Sequence, residues 1–309
     1  MKRLTHCFKA YLRYMQISRH EVFVFVEGKV TDPYFYGNIC DCVCQPVNVS
    51  YKICRSQELS KGNGGKQVLI SFFEYLRRKS ALVHTFKGKS TGVVFFLDKD
   101  VDDFLRTQRR SEHVVYTLYY DVENHIFVEG DLVEATAASA SMDRREVLAC
   151  IGDCDRWRRE AVKQWKQWVT LCLFVAKKKV SSECNYRVTS RINNPLHGPV
   201  DQAAYLDRLQ RIEGKLGLTT RQFKRAFQRV SRLIDNIYAQ GEPDRVFKGR
   251  WYSILLTAKL RDRIGSRPID STGLEARLRS NAAQTLDFSE PWAEHFKEPL
   301  RNLVHQLQR

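Results

Sequence analysis

Three apolar runs along this chain end in acid. Val22-Phe-Val-Phe-Val26 runs into Glu27, and Gly92-Val-Val-Phe-Phe-Leu97 runs into Asp98-Lys-Asp100. The stretch from Val114 to Tyr120 is followed by Glu123. Short runs that are apolar throughout, without alternation, predict strands buried on both faces. Between the first two, Thr31 is placed to cap a helix carrying Asp32, Tyr34, Phe35 and Ile39. Val47–Ile53 alternates as a second strand. A glycine-rich loop, Ser60-Lys-Gly-Asn-Gly-Gly-Lys66, opens a helix whose Val68, Leu69, Phe72, Phe73 and Leu76 recur at helical spacing. The acidic run Asp98 to Asp103 starts a further, polar helix. Strands separated by helices predict an α/β fold, a parallel sheet flanked by helices.

After Gly130 strand signals thin out. Trp157, Ala161, Trp165 and Trp168 share one helical face, beside Arg156, Arg159, Lys163 and Lys166. These tryptophans read as core. Thr219-Thr-Arg-Gln222 matches a capping box. Its helix sets Phe223, Phe227, Val230, Ile234 and Ile237 inward, with Arg221, Arg225, Arg229 and Arg232 along another face. Ser182–Pro199 reads as a long connection. The expected division is an α/β catalytic domain over residues 1–130. A mainly α-helical region over 131–309 follows, for partner docking, self-association and nucleic-acid contact.

Charge sharpens this. Of 309 residues, 51 are Lys or Arg and 35 Asp or Glu, a net of +16. Residues 1–130 contribute +5 and residues 131–309 contribute +11. Such a surplus points to nucleic acid or an anionic surface as partner. No segment reaches the roughly 18 apolar residues of a spanning helix, so nucleic acid is favoured over membrane. Lys9, Arg13, Gln16 and Arg19 interrupt any apolar stretch near the start, so no secretory signal is expected. Nine cysteines is an odd count, which fits reduced thiols in the cytoplasm. Cys40, Cys42 and Cys44 lack the spacing of a zinc knuckle and read as small apolar residues on a helix.

In a parallel sheet, ligands sit beyond the carboxyl ends of the strands. Glu27, Asp98 and Asp100 are expected there, and residues two apart in extended chain aim the same way. Clustered carboxylates need a compensating cation, and an all-oxygen site suits Mg2+ or Mn2+. Such an ion activates water and polarises a phosphodiester. Glu27 as a general acid or base fits the same residues, and an acid after a strand also serves simply to start a helix. Lys66, at a helix N-terminus behind the glycine-rich loop, is a candidate nucleic-acid contact. Lys248 and Arg250 are candidates for neutralising transition-state charge. The loop itself lacks the P-loop pattern.

The residues Val24-Phe-Val-Glu27-Gly-Lys, Asp32, Phe35-Tyr36, Phe95-Phe-Leu-Asp98-Lys-Asp100 and Asp121-Val-Glu123-Asn124 together resemble the Toprim domain. The resemblance covers about residues 20–130 and is similar to the domain-of-unknown-function 4435 group. Within that group the layout looks most like the Toprim effector subunits of PARIS anti-phage defence systems. It implies a magnesium-dependent endonuclease with Glu27 as catalytic or metal-binding glutamate, Asp98 and Asp100 as the metal pair and Glu123 as a further acid. It also implies a toxic effector cleaving transfer RNA in preference to DNA, held inactive by an ABC-type ATPase and active as a homodimer. Many relatives have one residue before the aspartate of the first motif, where this chain has Val30-Thr31, so Asp32 is not expected to be a ligand. Two other readings stand beside this one. They are a DNA-nicking or DNA-processing Toprim enzyme, and a non-catalytic nucleic-acid-binding regulatory subunit.

Overall fold

A computed structural model describes residues 7–28, 30–59, 64–264 and 273–309. In chain order its first elements are α1 (Phe8–Ile17), β1 (Val22–Val26), α2 (Thr31–Cys44), β2 (Tyr51–Arg55) and α3 (Lys66–Arg78). Then come β3 (Val83–Phe86), β4 (Lys89–Leu97), α4 (Asp102–Leu105), β5 (Val114–Tyr116) and α5 (Val122–Glu129). Helices α6 (Leu132–Ala140), α7 (Arg144–Ile151), α8 (Cys154–Gln164), α9 (Lys166–Lys178) and α10 (Gln202–Leu216) follow. The last are α11 (Thr220–Ala239), α12 (Arg250–Ile264), α13 (Leu274–Gln284) and α14 (Glu294–Leu307).

The chain gathers into two compact units. The first comprises Met1–Lys99, Gln108–Leu118 and Asp287–Arg309, and the second Asp100–Thr107 and Tyr119–Leu286. They do not follow the boundary expected at residue 130, because α14 returns to the sheet while α4 and α5 belong with the helices.

The sheet of the first unit runs in the order β2-β1-β4-β3, with β5 also on β4. β1 pairs in parallel with β2 and β4, and β5 pairs in parallel with β4. The expected parallel core is present, but the sheet is mixed. β3 is antiparallel to β4, joined by Lys87 and Gly88 at φ 51° and 79°. Two successive positive φ values make the tight turn whose twist suits a hairpin. β3 and β5 share one edge of β4, along Lys89–Gly92 and Phe95–Leu97 respectively.

Every residue of β1 is buried. Phe23, Phe25, Val93 and Phe95 pack with Tyr11, Leu69, Phe72 and Leu76 of α1 and α3, and the Phe25 and Phe95 rings stack 4.9 Å apart. On the other face Phe96 stacks on Tyr36 of α2 at 4.4 Å and meets Phe296 of α14 at 6.1 Å. Each such buried ring contributes about 1.5–3 kcal/mol. Gly92 admits Leu303 of α14, since a Cβ there would lie 2.7 Å from Leu303 Cδ1.

Several element boundaries move from their expected places. The second strand is Tyr51–Arg55, because Gln45–Val47 form a 3-10 turn closed by Asn48 at φ 53°. Thr31 is the first helical residue, not a cap, and Val30 at the cap position offers no side-chain hydrogen bond. The fourth strand stops at Tyr116: Thr117 N–H still donates to Leu97 O at 3.0 Å, while its hydroxyl accepts from Lys99 N–H at 2.8 Å. The polar helix after Asp98 is a single turn, α4.

In the second unit, Trp157, Trp165 and Trp168 are buried as expected. The Thr219 capping box forms, with Gln222 N–H donating to Thr219 Oγ1 at 3.3 Å and Thr219 N–H to Gln222 Oε1 at 3.0 Å. Phe223, Val230, Ile234 and Ile237 are buried and Phe227 is half-buried, while Arg221, Arg225, Arg229 and Arg232 are exposed. No α-helix occupies the connection between α9 and α10. Among the described residues no helix is long and apolar enough to cross a membrane.

Candidate active site

In the first unit, Val26 of β1 lies opposite Phe96 of β4, so Glu27 and Asp98 leave the sheet side by side at its carboxyl end. Glu27 Oε1 accepts the Asp98 backbone N–H at 3.0 Å, which ties one carboxylate to the base of the other. The buried Ser56 hydroxyl donates to Glu27 O at 3.1 Å and itself accepts Gly65 N–H at 2.8 Å, anchoring the turn after β1. Asp32 Oδ2 accepts Gly28 N–H at 2.6 Å. A Cβ on Gly28 would stand 2.2 Å from Asp32 Oδ1, so a larger residue there would displace the Asp32 carboxylate from this turn. Lys99 donates its Nζ to Leu118 O. Glu27 and Asp98 remain half-buried.

The donors here are hard carboxylate oxygens. A magnesium-sized ion is commonly held by one or two carboxylates, with waters and substrate phosphates completing its shell, so the Glu27–Asp98 pair fits such an ion. Among the described residues no group of three or more His, Cys, Asp or Glu side chains is placed to hold a metal.

Asp100 and Glu123 lie in the second unit, around Asp121. Asp100 has φ 49° and donates its N–H to Tyr120 O at 2.6 Å. A left-handed backbone is uncommon for any residue but glycine, and Asp is among those that tolerate it. Glu123 does not end a strand: it occupies the first turn of α5, seven residues beyond β5 in sequence. Asp121 caps that helix. Its Oδ1 accepts Asn124 N–H and Gly249 N–H, each at 3.1 Å, and its own N–H donates to Asn124 Oδ1 at 3.2 Å.

Asn124 Nδ2 in turn donates to Asp244 Oδ1 at 2.8 Å and to Phe247 O at 2.9 Å. A Cβ on Gly249 would meet Asn124 N at 2.2 Å and Asp121 Oδ1 at 2.4 Å. The segment Phe247–Gly249 is therefore pressed onto the start of α5.

Burial pushes the Asp121 carboxyl well above the carboxylate range. Glu123 and Asp100 push it further, while Lys248 and the Asn124 N–H pull it down. Lys248 thus faces the acidic group, half-buried, and Arg250 is exposed at the first residue of α12. Arg279 on α13 donates to Ser253 Oγ at 2.9 Å. Burial and the neighbouring Arg250 lower its basicity, against Glu123 and Glu275.

Of the carboxylates expected from sequence, Glu27 and Asp98 belong to the first unit and Asp100 and Glu123 to the second. Asp121 and Arg279 join the second without having been singled out. For Asp121 a signal exists, since Asp121 three residues before Asn124 is a helix-capping pattern. For Arg279 there is none, because its neighbours are distant in sequence. Lys66 is the first residue of α3, behind Gly65 at φ 99°. Residues 60–63 of the glycine-rich loop lie outside the described residues. The nine cysteines are free thiols, and burial raises Cys40 well above its ordinary value and Cys44 to about 12. Neither a protein-family model nor a curated protein matches the chain.

Proposed function

We propose that this protein is a metal-dependent endonuclease of the Toprim type that hydrolyses phosphodiester bonds in RNA. The observation that carries the proposal is the Glu27 carboxylate held 3.0 Å from the Asp98 N–H, at neighbouring carboxyl ends of two parallel strands. The chain's net charge of +16 supports a polyanionic substrate. Glu27 and Asp98 would hold Mg2+ or Mn2+, which when bound supplies an activated water and a polarised phosphoryl oxygen. The turn built by Ser56, Gly28 and Asp32 orients Glu27, and the Asp98 N–H fixes its Oε1. Asp100 and Glu123 enter the proposal through the Toprim resemblance, as do the preference for transfer RNA over DNA, the ABC-type ATPase partner, the homodimer and the role as a defence toxin.

The test is to incubate the purified chain, with magnesium and with manganese, against transfer RNA, total RNA and plasmid DNA, beside Glu27→Gln and Asp98→Asn. Because a gating ATPase is part of the proposal, the same assay is run with extract of infected cells. Cleavage by the parent and not by either variant is expected. A variant that cuts at the parental rate overturns the assignment.

A non-catalytic nucleic-acid-binding subunit is the second reading. It is favoured by the lack, among the described residues, of a third carboxylate, histidine or cysteine grouped with this pair. Calorimetric titration with manganese separates the two: binding that disappears in Asp98→Asn supports the enzyme.

A further inference from the structure

The second unit contains a cleft of about 600 Å³, walled by α8 and the start of α9 on one side and by the end of α11 on the other. That volume is in the range that encloses a nucleotide-sized ligand. Arg159 and Lys163 stand four residues apart on α8, so they project along one helix face, and both are exposed. The other cations of this stretch are engaged. Arg156 bonds Glu160 at 2.9 Å and Lys166 bonds Asp235 at 2.6 Å. Arg158 bonds Asp155 at 3.0 Å and donates to Phe127 O and Val128 O at 2.9 Å. Among the described residues Arg159 and Lys163 make no ion pair, so the cleft keeps two positive charges in hand.

The cleft is also polarised. Asp244 lines it together with Tyr252, whose hydroxyl donates to Asp244 Oδ1 at 2.8 Å. A small bare anion would be drawn to α8 and repelled at Asp244. A ligand with phosphate at one end and amine or imine donors at the other meets both walls favourably.

We propose that this cleft binds a nucleotide, with its phosphate on Arg159 and Lys163 and its base toward Asp244 and Tyr252. The nucleotide is one unit of a single-stranded RNA or a free nucleoside monophosphate. A volume of about 600 Å³ matches a single nucleotide. The proposal rests on the nucleic-acid reading above but not on catalysis, because the α8 cations grip the ligand whether or not a bond is cut.

The test measures binding to the full-length Glu27→Gln protein, so that no probe is consumed. Fluorescence anisotropy of a short labelled single-stranded RNA is followed across a salt series, and GMP is titrated separately by calorimetry. Arg159→Ala with Lys163→Ala is expected to weaken RNA binding about tenfold. It should also flatten the log–log salt slope by about 0.7, for the one phosphate no longer neutralised. Arg225→Ala with Arg229→Ala, on the exposed face of α11, is expected to leave the affinity within about twofold, which separates a cleft from general surface charge. GMP binding with the same dependence on Arg159 and Lys163 identifies the free nucleotide as a ligand as well. Equal affinity of the Arg159/Lys163 variant and its parent for both probes overturns the proposal, as does an equal loss in the Arg225/Arg229 variant. Absence of cleavage by the parent chain, also in the presence of extract of infected cells, would overturn the nuclease assignment and leave this binding result standing.

Discussion

Glu27 Oε1 accepts the backbone N–H of Asp98 at 3.0 Å, so a side chain from the end of β1 is fixed by the chain at the end of β4. A glutamine at position 27 retains an oxygen able to accept that bond and removes only the charge. Glu27→Gln should therefore unfold within about 1 kcal/mol of the parent, the scale of one hydrogen bond, while metal-dependent RNA cleavage disappears. Urea denaturation beside a cleavage assay checks both halves.

Gly249 sits where no side chain fits, with a Cβ position 2.2 Å from Asn124 N and 2.4 Å from Asp121 Oδ1. Gly249→Ala forces the Phe247–Gly249 segment off α5 and should cost about 3 kcal/mol, at the upper end for overpacking. Gly214 provides the opposite case. It lies within α10 with nothing within 4 Å of a Cβ, so Gly214→Ala should stabilise the protein by about 0.5–1 kcal/mol. Equilibrium denaturation of the two variants reads the contrast directly.

Phe296 packs on Phe35 at 5.5 Å, Tyr36 at 5.8 Å and Phe96 at 6.1 Å, which makes α14 part of the first unit's core. Phe296→Ala should destabilise that unit by about 3–5 kcal/mol. Hydrogen exchange locates the effect: amides of β1 and β4 should lose protection, and a change confined to residues 131–286 would contradict the placing of α14 with the sheet.

Asp121 is buried, and its carboxyl lies well above its usual range. The folded state therefore favours the protonated acid. Its contribution to stability is complete below the unfolded carboxylate pKa of about 3.9, and is lost as pH rises through the elevated folded value. Asp121→Asn keeps an acceptor for the Asn124 and Gly249 N–H groups and cannot ionise. It should flatten this part of the stability–pH profile, leaving the smaller slope from Asp244, which burial also raises. Thermal unfolding across a pH series measures the difference.

Local sequence was sufficient wherever a short segment carried the whole signal. Val22–Val26 is a buried strand because five consecutive apolar residues have no polar face to offer water. The same holds for α3, from its helical spacing, and for Thr219, whose partner Gln222 is three residues away. The placing of Glu27 and Asp98 at the ends of β1 and β4 was readable for this reason too.

Tertiary structure alone decided the features that join distant residues. The sequence could not show that β5 would stop at Tyr116, because the Thr117 hydroxyl is taken by Lys99 N–H across 18 residues of chain. Nor could it assign Asp287–Arg309 to the sheet, since Phe96, a partner of Phe296, lies so far back along the chain. Asp121 becomes a buried acid only when Gly249 closes on it, an approach spanning 128 residues. Periodicity and capping act within a few residues and are written in the local order of the chain. Burial and charge proximity depend on which surfaces meet after collapse, and those are set by the packing of the whole chain.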